Sequence, residues 1–579
     1  MNSRFCIPLS SAVPEWTAQR SKSFVDGPFH LPKVLSRQLS SSRSRPNHFR
    51  YTGDRKTHTS IHHSEYEDFF RYTSGRWLWD EERQLRDRYK RFNVKKLQEI
   101  SAKSIGSKKC VSMIKLAEGG YNKIFRLIMD DGKVAIARIP NPNAGPKFYT
   151  TASEVATMEF ARTVLGIPVP RVYTWSAVDD NSVGSEYIIM EEAVGTQLEN
   201  VWEGLTPPSK LEVMREIVKL EQKMLSVSFS HYGSIYFANS AVKGAVPAEI
   251  TSDTSVGLKD KVSKTFTIGP SVGRGFWRGE RSAMDIDRGP WSNAVDYVMS
   301  VGRREIAWIK RYAVAKAPSD PLVVSTAQND PEAHIQLLEK YLQVAPYLVE
   351  VDRELIESIL WHDDLHGSNI FVDGNRITSV IDWQSVWAGP LLFRARPCPI
   401  IDYQGPVLLK RPDNFEDLDE ERKVQIKAQI ARSTLSQLYI LESEKRNPKL
   451  AKAFTLDHGK TRRLAVEYSG DSWDDDIVSF RETLINVERY WKELGLKENC
   501  PIHFTEQDLK SHLQDAEGWN EVQDFFDHID HLVKRDGWTS NERYEDAVAF
   551  FSELRKVGLQ NLTGSEREEF ERETRWVDR

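Results

Sequence analysis

Cysteine is scarce in this chain. The four present, Cys6, Cys110, Cys398 and Cys500, lie far apart and form no CxxC pair. That spacing excludes a thiolate zinc site and a disulfide scaffold, and it suits a reducing compartment. No apolar run approaches the ~20 residues that a helix needs to cross a bilayer, so no transmembrane segment is expected. Glycine and proline are not in excess, which sets aside fibrous and low-complexity classes. A basic body is missing too. Residues 1–60 hold ten Lys or Arg against three Asp or Glu. That surplus of seven, taken from the formal −5 of the whole chain, leaves about −12 for the rest. An acidic body cannot displace counterions from a nucleic-acid backbone, so nucleic acid is not an expected partner. With 579 residues the chain exceeds one ordinary domain, and two lobes with appendages are expected.

What is present is concentrated in residues 360–383, L-W-H-D-D-L-H-G-S-N-I-F-V-D-G-N-R-I-T-S-V-I-D-W. Two apolar runs, Ile370–Val372 and Ile377–Ile381, flank Asp373-Gly374-Asn375. Asp-Gly between such runs signals a tight hairpin whose two central residues both need positive φ. A hairpin here brings Asn369, before its first strand, close to Asp382, after its second. Asp364, five residues ahead of Asn369, joins them. Two carboxylates and an amide oxygen make a hard-oxygen site suited to Mg²⁺, whose other ligands are waters and phosphate oxygens. Phosphoryl transfer asks for this combination of positioning and charge neutralisation.

The string H-D-D-L-H-G-S-N followed by I-D-W resembles the catalytic loop and metal-binding segment of the aminoglycoside phosphotransferase and choline kinase family. The resemblance implies an α+β, protein-kinase-like two-lobe fold with extra helices at both ends. It implies Asp364 as catalytic base, Asn369 and Asp382 as metal ligands, and His362 and His366 as braces of the loop. ATP and Mg²⁺ are the implied cofactors.

Ahead of this motif, residues 111–190 read mostly as strand. Leu116–Asn122 is a glycine turn, followed by Ile124–Met129, an Asp130-Asp-Gly132 turn and Lys133–Ile139. In a kinase-like lobe this is the phosphate-covering loop, where Gly119 and Gly120 let backbone N–H groups approach phosphate oxygens. Arg138, in Ala135-Ile-Ala-Arg138, sits where a kinase has the Lys of V-A-I-K. Guanidinium can bind phosphate bidentately but does not copy the Lys geometry. Glu154, in the helical stretch Thr151–Leu165, matches the helix Glu that pairs with that cation. Tyr187–Met190 is a buried strand, and Glu191–Gly195 a hinge at which Met190 and Glu192 would meet the adenine through backbone groups.

The remaining segments follow from pattern. Residues 1–60 are Arg- and Ser-rich and poor in acids, the composition of a mitochondrial transit peptide. Residues 61–105 form a helical arm, with Trp77, Leu78, Leu85, Tyr89, Phe92, Leu97 and Ile100 at helical spacing. Phe70–Glu81 and Phe266–Asp287 are similar to stretches of the fungal altered inheritance of mitochondria protein 9 family. Residues 106–190 are the amino-terminal lobe and 191–405 the carboxy-terminal lobe, with an insertion at 238–290. Residues 406–579 are a helical region completing or extending that lobe. Ser209 to Glu212 reads as a capping box opening a helix. Helices are expected over 292–316 and 331–349.

Arg274, Trp277 and Arg278 in the insertion suit either an anion or acceptor site or, more plainly, a loop clamp. Pro397–Tyr403 is expected beside the acceptor cleft. Asp471–Asp476 around Trp473 suits an organic cation or, more plainly, the start of a helix. The leading functional reading is mitochondrial ATP- and Mg²⁺-dependent phosphate transfer to a small-molecule hydroxyl. The alternative is a kinase-fold scaffold or nucleotide-binding protein without turnover, presenting its carboxy-terminal helices to a protein partner. A protein kinase is disfavoured, since no A-P-E-like element follows Asp382.

Overall fold

The computed structural model describes residues 65–316, 325–474 and 477–577. The transit-peptide reading of residues 1–60 falls outside them.

The chain builds two lobes. In the first, helix α1 (Val94–Ser104) precedes strands β1 (Cys110–Glu118), β2 (Asn122–Met129) and β3 (Val134–Pro140), then helix α2 (Tyr149–Thr163), β4 (Val172–Ser176) and β5 (Tyr187–Met190). The five strands form one antiparallel sheet in the order β1-β2-β3-β5-β4. In β2 every second residue is buried, the period of a strand with one wet face. Its Phe125, Leu127 and Met129 form a core with Ala135, Ala137 and Ile139 of β3 and with Ile189. Each large side chain there contributes about 1.5–3 kcal/mol by leaving water. Helix α2 is buried on nearly every side, Glu154 included.

The second lobe is largely helical. Its core gathers α3 (Pro207–Leu225), α4 (Ala294–Tyr312) and α5 (Pro331–Leu348) around β6 (Ser358–Trp361) and the hairpin β7 (Ile370–Asp373) and β8 (Arg376–Val380). Strand β6 pairs with β9 (Trp387–Pro390) and with Ser228–Phe229; β7 also pairs with Thr196–Gln197. Beyond these come α6 (Glu420–Arg446), α7 (Ile477–Arg489), α8 (Glu506–Ile529) and α9 (Tyr544–Asn561). No helix among the described residues is long and apolar enough to cross a membrane.

Three sequence expectations are corrected. The arm is not continuously helical, because Arg76–Trp77 is extended and pairs antiparallel with Trp538–Thr539. Trp77 is buried there by a partner far along the chain, which local periodicity cannot reveal. Helix α3 does not open with a Ser209–Glu212 box. Its cap is Thr206, whose hydroxyl accepts from Ser209 N–H, with Pro207 at the first turn, where its missing N–H is harmless. The hairpin loop is Gly374-Asn375, Asp373 being paired with Arg376, and of these only Gly374 has positive φ (58°).

That pairing of the arm with residue 538 makes a second link between the lobes. Leu78 and Trp79 share an apolar cluster with Val522 and Phe526 of α8, and α8 also reaches the main core through Ala516 and Trp519. On its other side the arm inserts Phe70 and Phe92 into the sheet core.

Candidate active site

The hairpin does what its sequence requires of it. Ile370 pairs with Val380, and Ile381 N–H donates to Asn369 C=O at 3.0 Å, so the residues flanking the two strands meet. Asn369 ends a short 3₁₀ turn (Gly367–Asn369) and turns its amide back on the loop. Its Nδ2 donates to Asp364 C=O at 2.9 Å and lies 3.3 Å from Asp364 Oδ2. Asn369 Oδ1 accepts from no donor among the described residues. His362 is buried, its Nε2 2.9 Å from Ile381 C=O and its ring edge-on to Trp383 at 4.8 Å. Burial lowers its pKa, so the ring is neutral and donates from Nε2. His362 thus ties the loop that carries Asp364 to the strand end that carries Asp382.

Asp364 is well exposed, and its Oδ1 lies 3.5 Å from His366 Nε2. That contact is the main reason its carboxyl titrates below the usual range, against a smaller effect of burial. The same contact raises His366. Asp364 therefore stands ionised and open to a substrate hydroxyl. Asp363, beside it, is turned away into an ion pair with Arg394.

Asp382 adopts φ = 60°, in the left-handed region that Asp tolerates better than most residues. In that posture Oδ1 accepts from Arg138 Nη2 at 2.8 Å. Burial pushes the Asp382 carboxyl up, but the guanidinium outweighs it and the group stays below its ordinary pKa. Arg138 itself is buried, with both terminal nitrogens donating and its Nε left without a partner among the described residues. Nη1 donates to Glu154 at 2.5 Å, and Nη2 also donates to Gln384 Oε1 at 2.6 Å. Burial pushes Glu154 up to about 7, against the pull of Arg138.

The strand register shows where the other candidates stand. Arg138 faces Ile188, and Ile136 faces Met190, so Met190 shares a sheet face with Arg138 one pair further on. In the other direction Asn122, next to the glycine turn, pairs with Pro140. The turn, Arg138 and the hinge therefore line one path across the sheet. Gly119 and Gly120 both have negative φ, and a Cβ on Gly119 would meet no protein atom within 4 Å. The backbone does not force glycine there; the open space around it does suit the approach of a ligand. Glu192 is held by a bidentate pair with Arg126 at 2.6 and 3.1 Å. Gly195, at φ = 104°, is required by contact, since a Cβ would fall 2.6 Å from Val372 C=O. The hinge is thereby laced to the hairpin, and Val194 N–H donates to Ser379 Oγ at 3.2 Å.

Sequence reasoning missed Gln384. Its Oε1 accepts from both Arg138 and Asn122, and its Nε2 donates to Ala144 C=O, joining the glycine turn, the Arg138 strand and the segment after the hairpin. Its place two residues after Asp382 was the available signal. Elsewhere Arg278 and Trp277 are held as in a loop clamp, while Asp475 and Asp476 of the Asp471–Asp476 stretch lie outside the described residues. Arg278 is clamped by Asp471 and Asp474 at 3.1 and 2.5 Å, and Trp277 Nε1 donates to Ser271 C=O. Trp473 is buried against His334 and the chain's own Lys316, 4.5 Å from its ring. Cys398, in the Pro397–Tyr403 stretch, packs on the motif loop, its Sγ 3.1 Å from Leu365 C=O.

Among the described residues no three His, Cys, Asp or Glu side chains gather tightly enough to hold a metal alone. The donors at hand are Asn369 Oδ1 and the second carboxylate oxygen of Asp382, both hard. Such a sparse set fits Mg²⁺, which takes one or two protein oxygens and fills its octahedron with phosphate and water.

The chain resembles known proteins along most of its length. A model described as the phosphotransferase enzyme family matches residues 306–394. A subtelomeric hrmA-associated cluster protein of Aspergillus fumigatus is 31% identical over 486 residues, covering 77% of this chain and 92% of that protein. The mitochondrial altered inheritance of mitochondria protein 9 of Yarrowia lipolytica is 25% identical over 487 residues, covering 78% and 82%. Among solved structures, a putative aminoglycoside phosphotransferase of Ralstonia eutropha aligns at 13% identity and TM-score 0.38, covering 75% of this chain and 99% of that one.

Proposed function

The chain belongs to the aminoglycoside phosphotransferase-like family, close to its altered inheritance of mitochondria protein 9 branch, and from that premise we propose that it transfers the terminal phosphate of ATP to a hydroxyl of a small molecule inside mitochondria. The observation that supports this most is the meeting of Asp364, Asn369 and Asp382 at the mouth of one hairpin, facing Arg138. The location follows the relatives named as mitochondrial and the basic, Ser-rich composition of residues 1–60.

In this reading Asp364, ionised and exposed, accepts the hydroxyl proton as the oxygen attacks phosphorus. His366 holds that carboxylate in its charged form. Asn369 and Asp382 would hold Mg²⁺, which would supply positive charge to offset that of the nucleotide phosphates. Glycine-turn N–H groups lie over the phosphates, and the 190–192 backbone meets the base. Arg138, held by Glu154 and Gln384, keeps Asp382 aimed at the cleft.

A second reading has one observation in its favour. The Arg138 tip is taken up by Glu154, Asp382 and Gln384, so it offers a nucleotide less than a free lysine would. A nucleotide-binding protein without turnover would have the same arrangement. The two are separated by incubating protein lacking residues 1–60 with γ-labelled ATP, Mg²⁺ and a mitochondrial metabolite extract, beside Asp364→Asn. Label on a small molecule with wild type alone supports transfer. Nucleotide-dependent thermal shift with no transfer supports the second reading.

A further inference from the structure

The loop between Phe266 and Trp291 carries several arginines, and nearly all are consumed in building it. Arg281 makes a buried bidentate pair with Glu305 at 3.1 and 2.6 Å. Arg288 donates to the carbonyls of Phe276, Arg281 and Met284. Arg278 is held by Asp471 and Asp474. From α4, Arg304 reaches under the loop to Glu305 and to Gly470 C=O, its guanidinium over the Phe276 ring. Gly275 sits so close to Arg304 that a Cβ would lie 2.9 Å from it. Ser234 Oγ accepts from Val272 N–H, and Ser271 Oγ from Gly273 N–H. These contacts fix the short 3₁₀ turn Arg274–Phe276 from both sides.

Arg274 is different. No carboxylate or carbonyl among the described residues accepts from it. Its guanidinium lies over the ring of Tyr121, Cζ 3.3 Å from the centroid. Tyr121 directly follows Gly119-Gly120, and the turn is anchored there by Asn143 Nδ2, which donates to Gly120 C=O at 3.1 Å. Burial lowers the Arg274 pKa, and Tyr121, Asp382 and Asp364 partly offset it. A braced loop from the second lobe thus lays an uncommitted planar cation against Tyr121, beside the glycine turn. The strand cation, meanwhile, is drawn off to Glu154, Asp382 and Gln384.

Resting on the phosphotransferase reading, we infer that Arg274 is the cation that grips the terminal phosphate of the nucleotide, a task for which Arg138, buried and paired with Glu154, Asp382 and Gln384, is less free. Guanidinium is matched to two phosphate oxygens at once, and stacking on Tyr121 holds its plane ready before the ligand arrives. The β-phosphate end is left to the glycine-turn amides and the metal ligands, so the contact distinguishes a triphosphate from a diphosphate.

The test is nucleotide affinity by calorimetry on the full chain without acceptor, using adenylyl-imidodiphosphate and ADP, each with Mg²⁺. Arg274→Ala is expected to weaken the triphosphate analogue on the order of tenfold, the size of a lost charge-assisted hydrogen bond, and to leave ADP unchanged. Arg274→Lys is expected to recover part of that loss. Equal losses for both nucleotides, or no loss for either, would overturn the inference. So would a fall in melting temperature in both variants with the triphosphate preference intact, the sign of a bracing role. If wild type binds neither nucleotide, the phosphotransferase reading itself falls; if wild type binds and the variants do not discriminate, only the role of Arg274 falls.

Discussion

Arg138 donates to Asp382 at 2.8 Å across the gap between the lobes, and the same guanidinium holds Glu154 at 2.5 Å. Both Arg138 and Glu154 are buried, so removing one partner strands a charge. Arg138→Ala is expected to destabilise the fold by about 3–5 kcal/mol, and Arg138→Met with Glu154→Leu to recover most of it. Urea unfolding midpoints of the three proteins check this. A single variant as stable as wild type would show that the pair is not a structural unit.

Replacing Asp364 separates chemistry from binding. Asp364→Asn keeps the shape and the contact with Asn369 but cannot take a proton. Transfer is expected to fall by about 10²–10⁴-fold, with nucleotide affinity retained. Single-turnover assays beside calorimetry give both quantities. Unchanged transfer would remove Asp364 from the mechanism.

Metal dependence should run through Asp382 and Asn369. In wild type, EDTA is expected to weaken nucleotide binding. In Asp382→Ala and Asn369→Ala, affinity without EDTA should already lie near the chelated value, and EDTA should change little. A metal response of wild-type size in either variant would place the ion elsewhere.

Stability should depend on pH through a group remote from this site. Glu221 on α3 is fully buried, with no cation paired to it among the described residues. Burial pushes it up to about 8, although Tyr439 O–H donates to it at 2.7 Å. A carboxyl raised from 4.5 in the unfolded chain favours the fold in its protonated form. The stabilisation is complete below about pH 4.5 and is lost progressively as pH rises through about 8. Each unit of that shift is worth roughly 1.4 kcal/mol, so a loss of a few kcal/mol is expected across the range. Glu221→Gln should flatten the slope while keeping the hydrogen bond. Melting temperatures of both proteins from pH 5 to 9 decide it.

The centre was legible where local rules govern it. The hairpin announces itself by two β-rich runs and a glycine turn, and its closure brings Asn369 to Asp382 without help from distant chain. The sheet strands were legible because alternation and turns define them. Long-range partners were not. Trp77 lay at a helical interval from its neighbours but pairs with Trp538, and Gln384 works through Arg138, 246 residues away. The cap of α3 was misread because Ser209 and Glu212 stand at box spacing, while Thr206 before Pro207 is the stronger signal. The insertion reads as an anion or acceptor site or, more plainly, as a clamp; the clamp describes Arg278 and Trp277 but not Arg274 resting on Tyr121.

The two-stranded ribbon at Arg76–Trp77 and Trp538–Thr539 has a mechanical consequence. Lobes joined at one point swing about it like a door. Here the polypeptide at 191–195 is one hinge and the ribbon is another, so any opening of the cleft must flex two separated supports together. Trp77, Leu78 and Trp79 are all nearly inaccessible to water, which makes the second support stiff. Nucleotide entry and exit would then proceed by small rocking motions rather than a wide gape, with the aromatic clasp setting their amplitude.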